Sequence, residues 1–485
     1  MKKSKEELLK EILNYDKTIE LNPTDAIAYN SRGNSKSDLE RHEEAILDYN
    51  KAIEIDSMYA TAYNNRGISK NDLGKHEEAI LDYNKAIEID PTDAKVYYNR
   101  GNSKNDLGKH EEAILDYDKA IELNPTDAAA YINRGNSKSD LERHEEAILD
   151  YNKAIEIDPT DAKVYYNRGN SKSDLGKHEE AILDFDKAIE IDPTDAVAYN
   201  NRGISKSDLG KDEEAILDYN KAIEIDPTDA KAYYNRGISK SDLGKHEEAI
   251  LDYNKAIEID PTDATTYYNR GISKSDLERH EEAILDYDKA IEINPLYINA
   301  YYNRGVSKSD LERHEEAILD YDKAIEINPL YIKAYNNRGI SKSDLERHEE
   351  AILDYNKAIE IDPTDATAYI NRGISKSDLE RHEEAILDYN KAIEIDPTDS
   401  TIYYNRGISK SDLGKYEEAI LDYDKAIEIN PIYVKAYYNR GNDKTKLRKY
   451  KEAIVDFDKV IEIDPSDDSA YACKKNLLLM LKVNQ

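Results

Sequence analysis

The sequence predicts an all-α chain, an α-solenoid built from antiparallel helix pairs. Three observations carry that prediction. Gly33 recurs as Gly67, Gly101 and onward to Gly441, thirteen times at a spacing of 34 residues. Pro recurs at the same spacing from Pro91 to Pro465, with Pro23 one phase earlier and Ser57 as the single gap. Between these marks the apolar residues fall at helical spacing, and no segment carries a strand signal. Taking Ala26 as position 1 gives thirteen full repeats over 26–467, preceded by residues 1–25 and followed by 468–485. That division leaves no room for a domain of another kind.

Each element can be justified in order. Residues 4–22 repeat a second-helix pattern, with Ser4 and Glu7 placed as a capping box, so 1–25 reads as an N-terminal half-repeat. One full repeat, 230–263, reads AKAYYNRGISKSDLGKHEEAILDYNKAIEIDPTD. Asp229 follows a Pro-Thr pair and is a good N-cap for the first helix, while Pro cannot continue the helix before it. Gly244 closes that first helix in the left-handed conformation, which glycine adopts without steric cost. Seven repeats place Glu or Arg there instead, as at Glu278 and Arg448, at a cost of roughly 1 kcal/mol per site. The second helix opens on Glu247 and Glu248, whose charges suit its N-terminal dipole, and carries Ala249, Ile250, Tyr253, Ala256 and Ile257 on one face. A unit this short cannot bury such a stripe alone, so neighbouring repeats must stack and share it. Residues 468–485 begin as a first helix, including Tyr471, then diverge into LLLML. They are expected to cap the last face with Lys474, Lys475 and Lys482 turned to water.

Composition narrows the function. The chain of 485 residues carries 102 acidic against 68 basic residues, a net charge of −34, which repels phosphate backbones and anionic lipid. No nucleic-acid or membrane partner is therefore expected. The single cysteine, Cys473, excludes a disulfide framework and suits a reducing compartment. The N-terminus lacks the apolar run of a secretory signal, and no run reaches the length of a membrane span. A cytoplasmic protein is the expectation.

The 34-residue period, Gly at position 8, Ala at 20 (Ala45 to Ala453), an aromatic at 24 (Tyr49, Phe185, Phe457) and Pro at 32 resemble the tetratricopeptide repeat. The resemblance covers essentially the whole chain. It implies a solenoid wound into a right-handed superhelix, with first helices lining a concave groove and second helices facing outward. The chain departs from the family's pattern at three positions. Tyr stands at position 4, where the family usually has Trp, and Arg and Lys stand at 7 and 11, where Leu and Tyr are usual. Cations so close to the core need acidic partners. Position 23 supplies Asp in every repeat, and a pair such as Arg100 with Asp116 is expected in each. The competing reading is that these cations bind an anionic ligand.

The candidate binding residues lie on the first helices. Position 6 is Asn in twelve repeats: Asn65, Asn99, Asn133, Asn167, Asn201, Asn235, Asn269, Asn303, Asn337, Asn371, Asn405 and Asn439. In peptide-binding proteins that this chain resembles, Asn at this position forms a ladder that holds the backbone of an extended peptide. A carboxamide offers both donor and acceptor, which suits a backbone amide whatever its side chain. The alternative is that these Asn serve helix packing. Tyr234, Tyr268, Tyr302 and Tyr404 at position 5, with Ile238, Ile272, Val306 and Ile408 at position 9, would add apolar contacts. Position 9 is instead Asn at Asn34, Asn102, Asn136 and Asn170, so the groove should be more polar toward the N-terminus. Tyr59, Tyr297, Tyr331 and Tyr433 at repeat ends are either further anchors or inter-repeat packing.

Catalysis and metal binding find no support in the pattern. The ten His share one position, and stacked helices stand about 8–10 Å apart, whereas metal ligands must converge to about 2 Å. Near-identical repeats supply no unique asymmetric cluster, so no catalytic residue, metal or cofactor is expected. The expected function is a non-enzymatic scaffold that binds an extended or repetitive peptide in its groove, the identity of the protein partner being open. The alternative is a structural solenoid that self-associates through Leu at position 22, from Leu47 to Leu421 with Val455 in the last repeat. At 100° per residue this row lies about 160° from the core-facing aromatic, and partial cover by neighbouring second helices is expected.

Overall fold

The computed structural model describes residues 3–483, with side chains to residue 481, and contains among them twenty-eight helices and no strand. It divides into two compact bodies, 1–243 and 244–485. The first opens with helix Lys5–Leu21 and continues in pairs such as Ala94–Asp106 with His110–Leu123, ending on Ala230–Asp242. The second opens with His246–Ile259, contains pairs such as Ile298–Asp310 with His314–Ile327, and closes with Asp468–Val483. Each body is an α-solenoid of stacked helix pairs. In both, consecutive first helices touch, as Ala60–Asp72 touches Ala94–Asp106 and Ile298–Asp310 touches Ile332–Asp344. Consecutive second helices make no comparable contact among the described residues. The first-helix side is therefore the inner side of each body.

Local signals place the helix ends where the sequence puts them. The capping box at Ser4 forms, with the Glu7 amide donating to the Ser4 hydroxyl at 3.2 Å and the Ser4 amide donating to the Glu7 carboxylate at 2.7 Å. Asp93 accepts from the Lys95 amide at 3.0 Å to cap a first helix. Gly74 and Gly414 end first helices at φ +74°, and Glu312 and Arg448 hold the same left-handed turn at φ 60° and 59°. A side chain is strained there. Glu312→Gly is thus expected to stabilise its repeat by about 1 kcal/mol, read as a rise in Tm; an unchanged or lowered Tm would show that the turn carries no strain.

The core is one aromatic wedge per repeat. Tyr117 is 1% exposed and packs against Gly101 so closely that a Cβ on that glycine would lie 2.7 Å from the ring. Only glycine at position 8 admits the ring at position 24. Ala113 and Ala120 flank it and are buried. At the C-terminus, Ala470 and Leu477 pack on Phe457 and Val460. Leu478, Leu479 and Met480 remain exposed, however, and Lys474 pairs with Asp458 rather than standing free in water. Lys475 is exposed, and Lys482 lies outside the described side chains.

The row at position 22 corrects an expectation. Leu47, Leu81, Leu285 and Leu421 are 66–67% exposed, and neighbouring second helices do not cover them. Side chains do reach between neighbouring second helices at their N-terminal ends, as Arg279 reaches Glu247 at 3.2 Å, but the Leu row stays exposed.

Burial and turn chemistry also set a pH window. Desolvation pushes the hydroxyls of Tyr117, Tyr287, Tyr321 and Tyr389 well above the ordinary tyrosine value. Asp90, Asp158, Asp226 and Asp362 are held below the usual carboxylate value, first by a Thr hydroxyl two residues on and then by its amide. The raised tyrosines contribute stability that is complete below about pH 10 and lost as pH rises further; the lowered carboxylates contribute stability that is complete above about pH 4 and lost as pH falls. Circular dichroism should show a plateau of helicity between these limits with losses on both sides. Helicity that persists well above pH 11 would contradict the assignment of the tyrosines to a sealed core.

Candidate functional site

The inner face is anchored by a charged lattice beneath it. Arg100 donates from Nε and Nη2 to the two oxygens of Asp116 at 2.9 and 2.5 Å, and Lys104 lies 2.9 Å from the same carboxylate. The Arg100 Nη1 reaches back to Asn84 of the preceding repeat at 2.7 Å, and its guanidinium lies 5.5 Å from the centre of the Tyr97 ring. The same pattern recurs from Arg32 with Asp48 to Arg440 with Asp456. The cations at positions 7 and 11 are therefore structural: Arg over Tyr replaces the family's apolar contact, and Asp at 23 pairs with both cations. Histidine at position 17 is also absorbed into packing. His314 Nδ1 lies 3.4 Å from the Ser309 hydroxyl and 3.7 Å from Asp344 of the next repeat.

Above this lattice runs the Asn row. All twenty candidate residues at positions 5, 6 and 9 are half-buried on first helices. Most of the Asn amides do not stand free for a ligand. Asn133 Nδ2 donates to Tyr98 at 3.0 Å and to Asn102 at 2.9 Å, and Asn201 does the same to Tyr166 and Asn170. Asn65 donates to Asn30 and Asn34, Asn99 to Asn64, Asn167 to Asn136 and Asn235 to Asn200. In the second body Asn303, Asn337 and Asn439 donate to the hydroxyls of Tyr268, Tyr302 and Tyr404. Asn371 and Asn405 lack the bond: the preceding repeats offer Ile340 to one and Ile370 and Ile374 to the other, and Asn336 turns its amide to Asp365. Position 6 thus spends its nitrogen on the previous repeat, while the carbonyl oxygens of residues such as Asn133, Asn303 and Asn337 keep acceptor capacity.

The candidate tyrosines belong to this lattice too. The Tyr268 ring lies 6.0 Å from Tyr287 and 4.9 Å from Tyr297, and Tyr404 stands similarly against Tyr423 and Tyr433. The Tyr268 hydroxyl is pushed up to about 12, chiefly by burial. The repeat-end tyrosines therefore brace position 5, while their neighbours Leu296, Leu330 and Ile432 are 68–71% exposed. Tyr234, Ile238, Ile272, Val306 and Ile408 lie half-buried at their expected positions on the inner face.

Recesses open between successive first helices. One of about 310 Å³ is lined by Asn71, Asn102, Asn105, Asn133 and Asn136, with Asp106 and Tyr117. Another of about 330 Å³ is lined by Asn170, Ser173, Asp174, Phe185, Asn201 and Ile204. In the second body a recess of about 300 Å³ lies beside Tyr404, Tyr438 and Asn439. Asn71 and Asn105 had escaped the reading of the sequence. The signal was present: position 12 is Asn in these two repeats alone, Ser in ten others and Thr in the last.

The comparisons with known proteins agree with this architecture. The tetratricopeptide repeat family model matches residues 94–127, 162–195, 230–263, 264–297, 298–331, 332–365, 400–433 and 434–467. Related models described as TPR repeat and tetratricopeptide repeat match further segments, including 33–70, 135–175 and 377–410 for the first and 116–148 for the second. The chain belongs to the tetratricopeptide repeat family, an all-α solenoid class whose members typically serve as non-enzymatic scaffolds. Among solved structures it is similar to MamA at 29% identity, covering 34% of this chain and 96% of that one with a TM-score of 0.33. It is similar to YrrB, described as a TPR protein with an unusual peptide-binding site, at 30% identity over 39% of this chain and 97% of that one, TM-score 0.34. The APC/C hetero-tetramer Cut9-Hcn1 matches at 15% identity over 92% and 95%, TM-score 0.41. No curated protein sequence matches. No described helix is long and apolar enough to cross a membrane.

Proposed function

We propose that the chain is a scaffold whose inner face holds an extended polypeptide, with backbone N–H groups of the ligand donating to carbonyl oxygens of the position 6 Asn row. The observation that carries this reading is the polarity of the row. At nine positions from Asn65 to Asn439 its nitrogen is fixed by the preceding repeat, which orients the oxygen without a further entropic cost on binding. Spacing by repeat suits an extended chain, and Ile272, Val306 and Ile408 add apolar contact between the oxygens. The test is selection of binders from a random peptide library, followed by titration against Asn303→Ser/Asn337→Ser. Ser31 occupies this position in the first repeat, so the fold tolerates it. At least a tenfold loss of affinity is expected; unchanged affinity would remove the row from the mechanism.

A second reading rests on the exposed Leu row. Leu183, Leu217 and Leu387, 67–68% exposed, recur at one position on the outer helices and would pair two copies of the chain. Light scattering decides it: an oligomer that becomes monomeric when several of these Leu are changed to Glu, with helicity kept, supports self-association, and a monomer before and after eliminates it.

A further inference from the structure

The recess of the second to fourth repeats differs from the others in what its side chains have left to offer. Asn71 Oδ1 accepts from the Ser103 hydroxyl at 2.6 Å and from His76 Nδ1 at 2.8 Å. Asn105 Oδ1 accepts from Ser137 at 2.8 Å and from His110 at 2.9 Å. Asn102 Oδ1 takes the Tyr117 hydroxyl and the Asn133 amide, both at 2.9 Å, and Asn136 Oδ1 takes Tyr151 and Asn167 in the same way. Each of the four oxygens accepts two hydrogen bonds, which fills the capacity of a carbonyl. Their Nδ2 groups donate to no protein acceptor among the described residues. Four primary amide groups, each with two uncommitted N–H, thus line one recess of about 310 Å³, a volume within the ordinary range of ligand pockets. The recess also holds acceptors, the exposed carboxylate of Asp106 and the Oδ1 of Asn133.

We propose that this recess is a subsite for the primary carboxamide side chain of Gln or Asn in a bound polypeptide, resting on the peptide-binding reading above. A carboxamide oxygen would accept from the Asn donors while its own NH₂ donates to Asp106, so both halves of the group are matched. A carboxylate ligand would meet the same donors but also the Asp106 charge and the −34 net charge of the chain. An aliphatic side chain would strand the donors without partners. The recess at Asn170 and Asn201 lacks this character, because Ser173 stands where Asn71 and Asn105 stand and Ile204 stands where Asn136 stands. The subsite is therefore local to one part of the first body.

The probes are three fluorescent twelve-residue peptides in which Gly alternates with Gln, Glu or Met. The intact chain should bind the Gln peptide at least tenfold more tightly than either isostere at pH 7. Asn71→Ser/Asn105→Ser should bring the three affinities within about threefold of one another. Asn102→Ile/Asn136→Ile is the second variant. Ser and Ile occupy these positions in other repeats, as at Ser173 and Ile204, so both variants should keep full helicity. Equal binding of the Glu peptide, no binding of the Gln peptide, or a Gln preference that survives in both variants would overturn the proposal. The two readings fail separately. Selected peptides that need Asn303 and Asn337 but show no Gln preference defeat only the subsite, whereas a Gln preference without dependence on Asn303 and Asn337 defeats only the Asn row.

Discussion

Asp116→Ala is expected to destabilise its repeat by about 3–5 kcal/mol, the cost typical of removing one partner from a buried ion pair. The carboxylate is 5% exposed and serves two cations at once, Arg100 and Lys104, which are themselves only 18% and 15% exposed. Its loss leaves Arg100 with only Asn84 and Lys104 with only the more distant Glu112, at 3.7 Å. Because a solenoid's stability is a sum of local and nearest-neighbour terms, the damage should centre on 94–127 and spread to the adjoining repeats. Amide hydrogen exchange should show it there, and the urea midpoint should fall. Asp116→Asn, which keeps an acceptor, should cost less. A loss below about 1 kcal/mol for Asp116→Ala would mean that the pairs behave as exposed surface bridges.

Tyr321→Ala should have an effect of similar size, about 3–5 kcal/mol, from lost burial and the cavity left behind. The ring is 1% exposed, wedges against Gly305 and lies 6.0 Å from Tyr302, which receives the Asn337 amide. The substitution therefore reaches the inner face as well as the core. Tyr321→Phe should cost far less, since Phe185 and Phe457 occupy this position in their own repeats. Chemical denaturation of the two variants separates the ring from its hydroxyl; equal losses would assign the effect to a hydrogen bond and contradict the packing account.

The repetition that makes this chain legible also marks what could not be read. Helix ends were evident from Gly, Pro and Asp because each acts within a few residues of its own backbone. The pairing of Arg100 with Asp116 could be anticipated because a cation near a core demands a counter-charge. The outer Leu row was harder: whether Leu285 is covered depends on the distance between neighbouring second helices, which no single repeat encodes. The donors and acceptors of Asn133 followed the same rule. Its chemistry was plain, but the direction of its amide is set by Tyr98 and Asn102 in the repeat before. Asn71 and Asn105 were passed over because one Asn among Ser residues looks neutral until the neighbouring oxygens are seen to be filled.

The central claim, that an extended polypeptide lies along the first helices, is tested most directly by amide hydrogen exchange of the chain with and without a saturating library-selected peptide. The account predicts added protection in first helices such as 298–310 and 332–344, with the second helices 314–327 and 348–361 unchanged. Protection confined to those second helices, around Leu319 and Leu353, would contradict it and place the partner on the outer face.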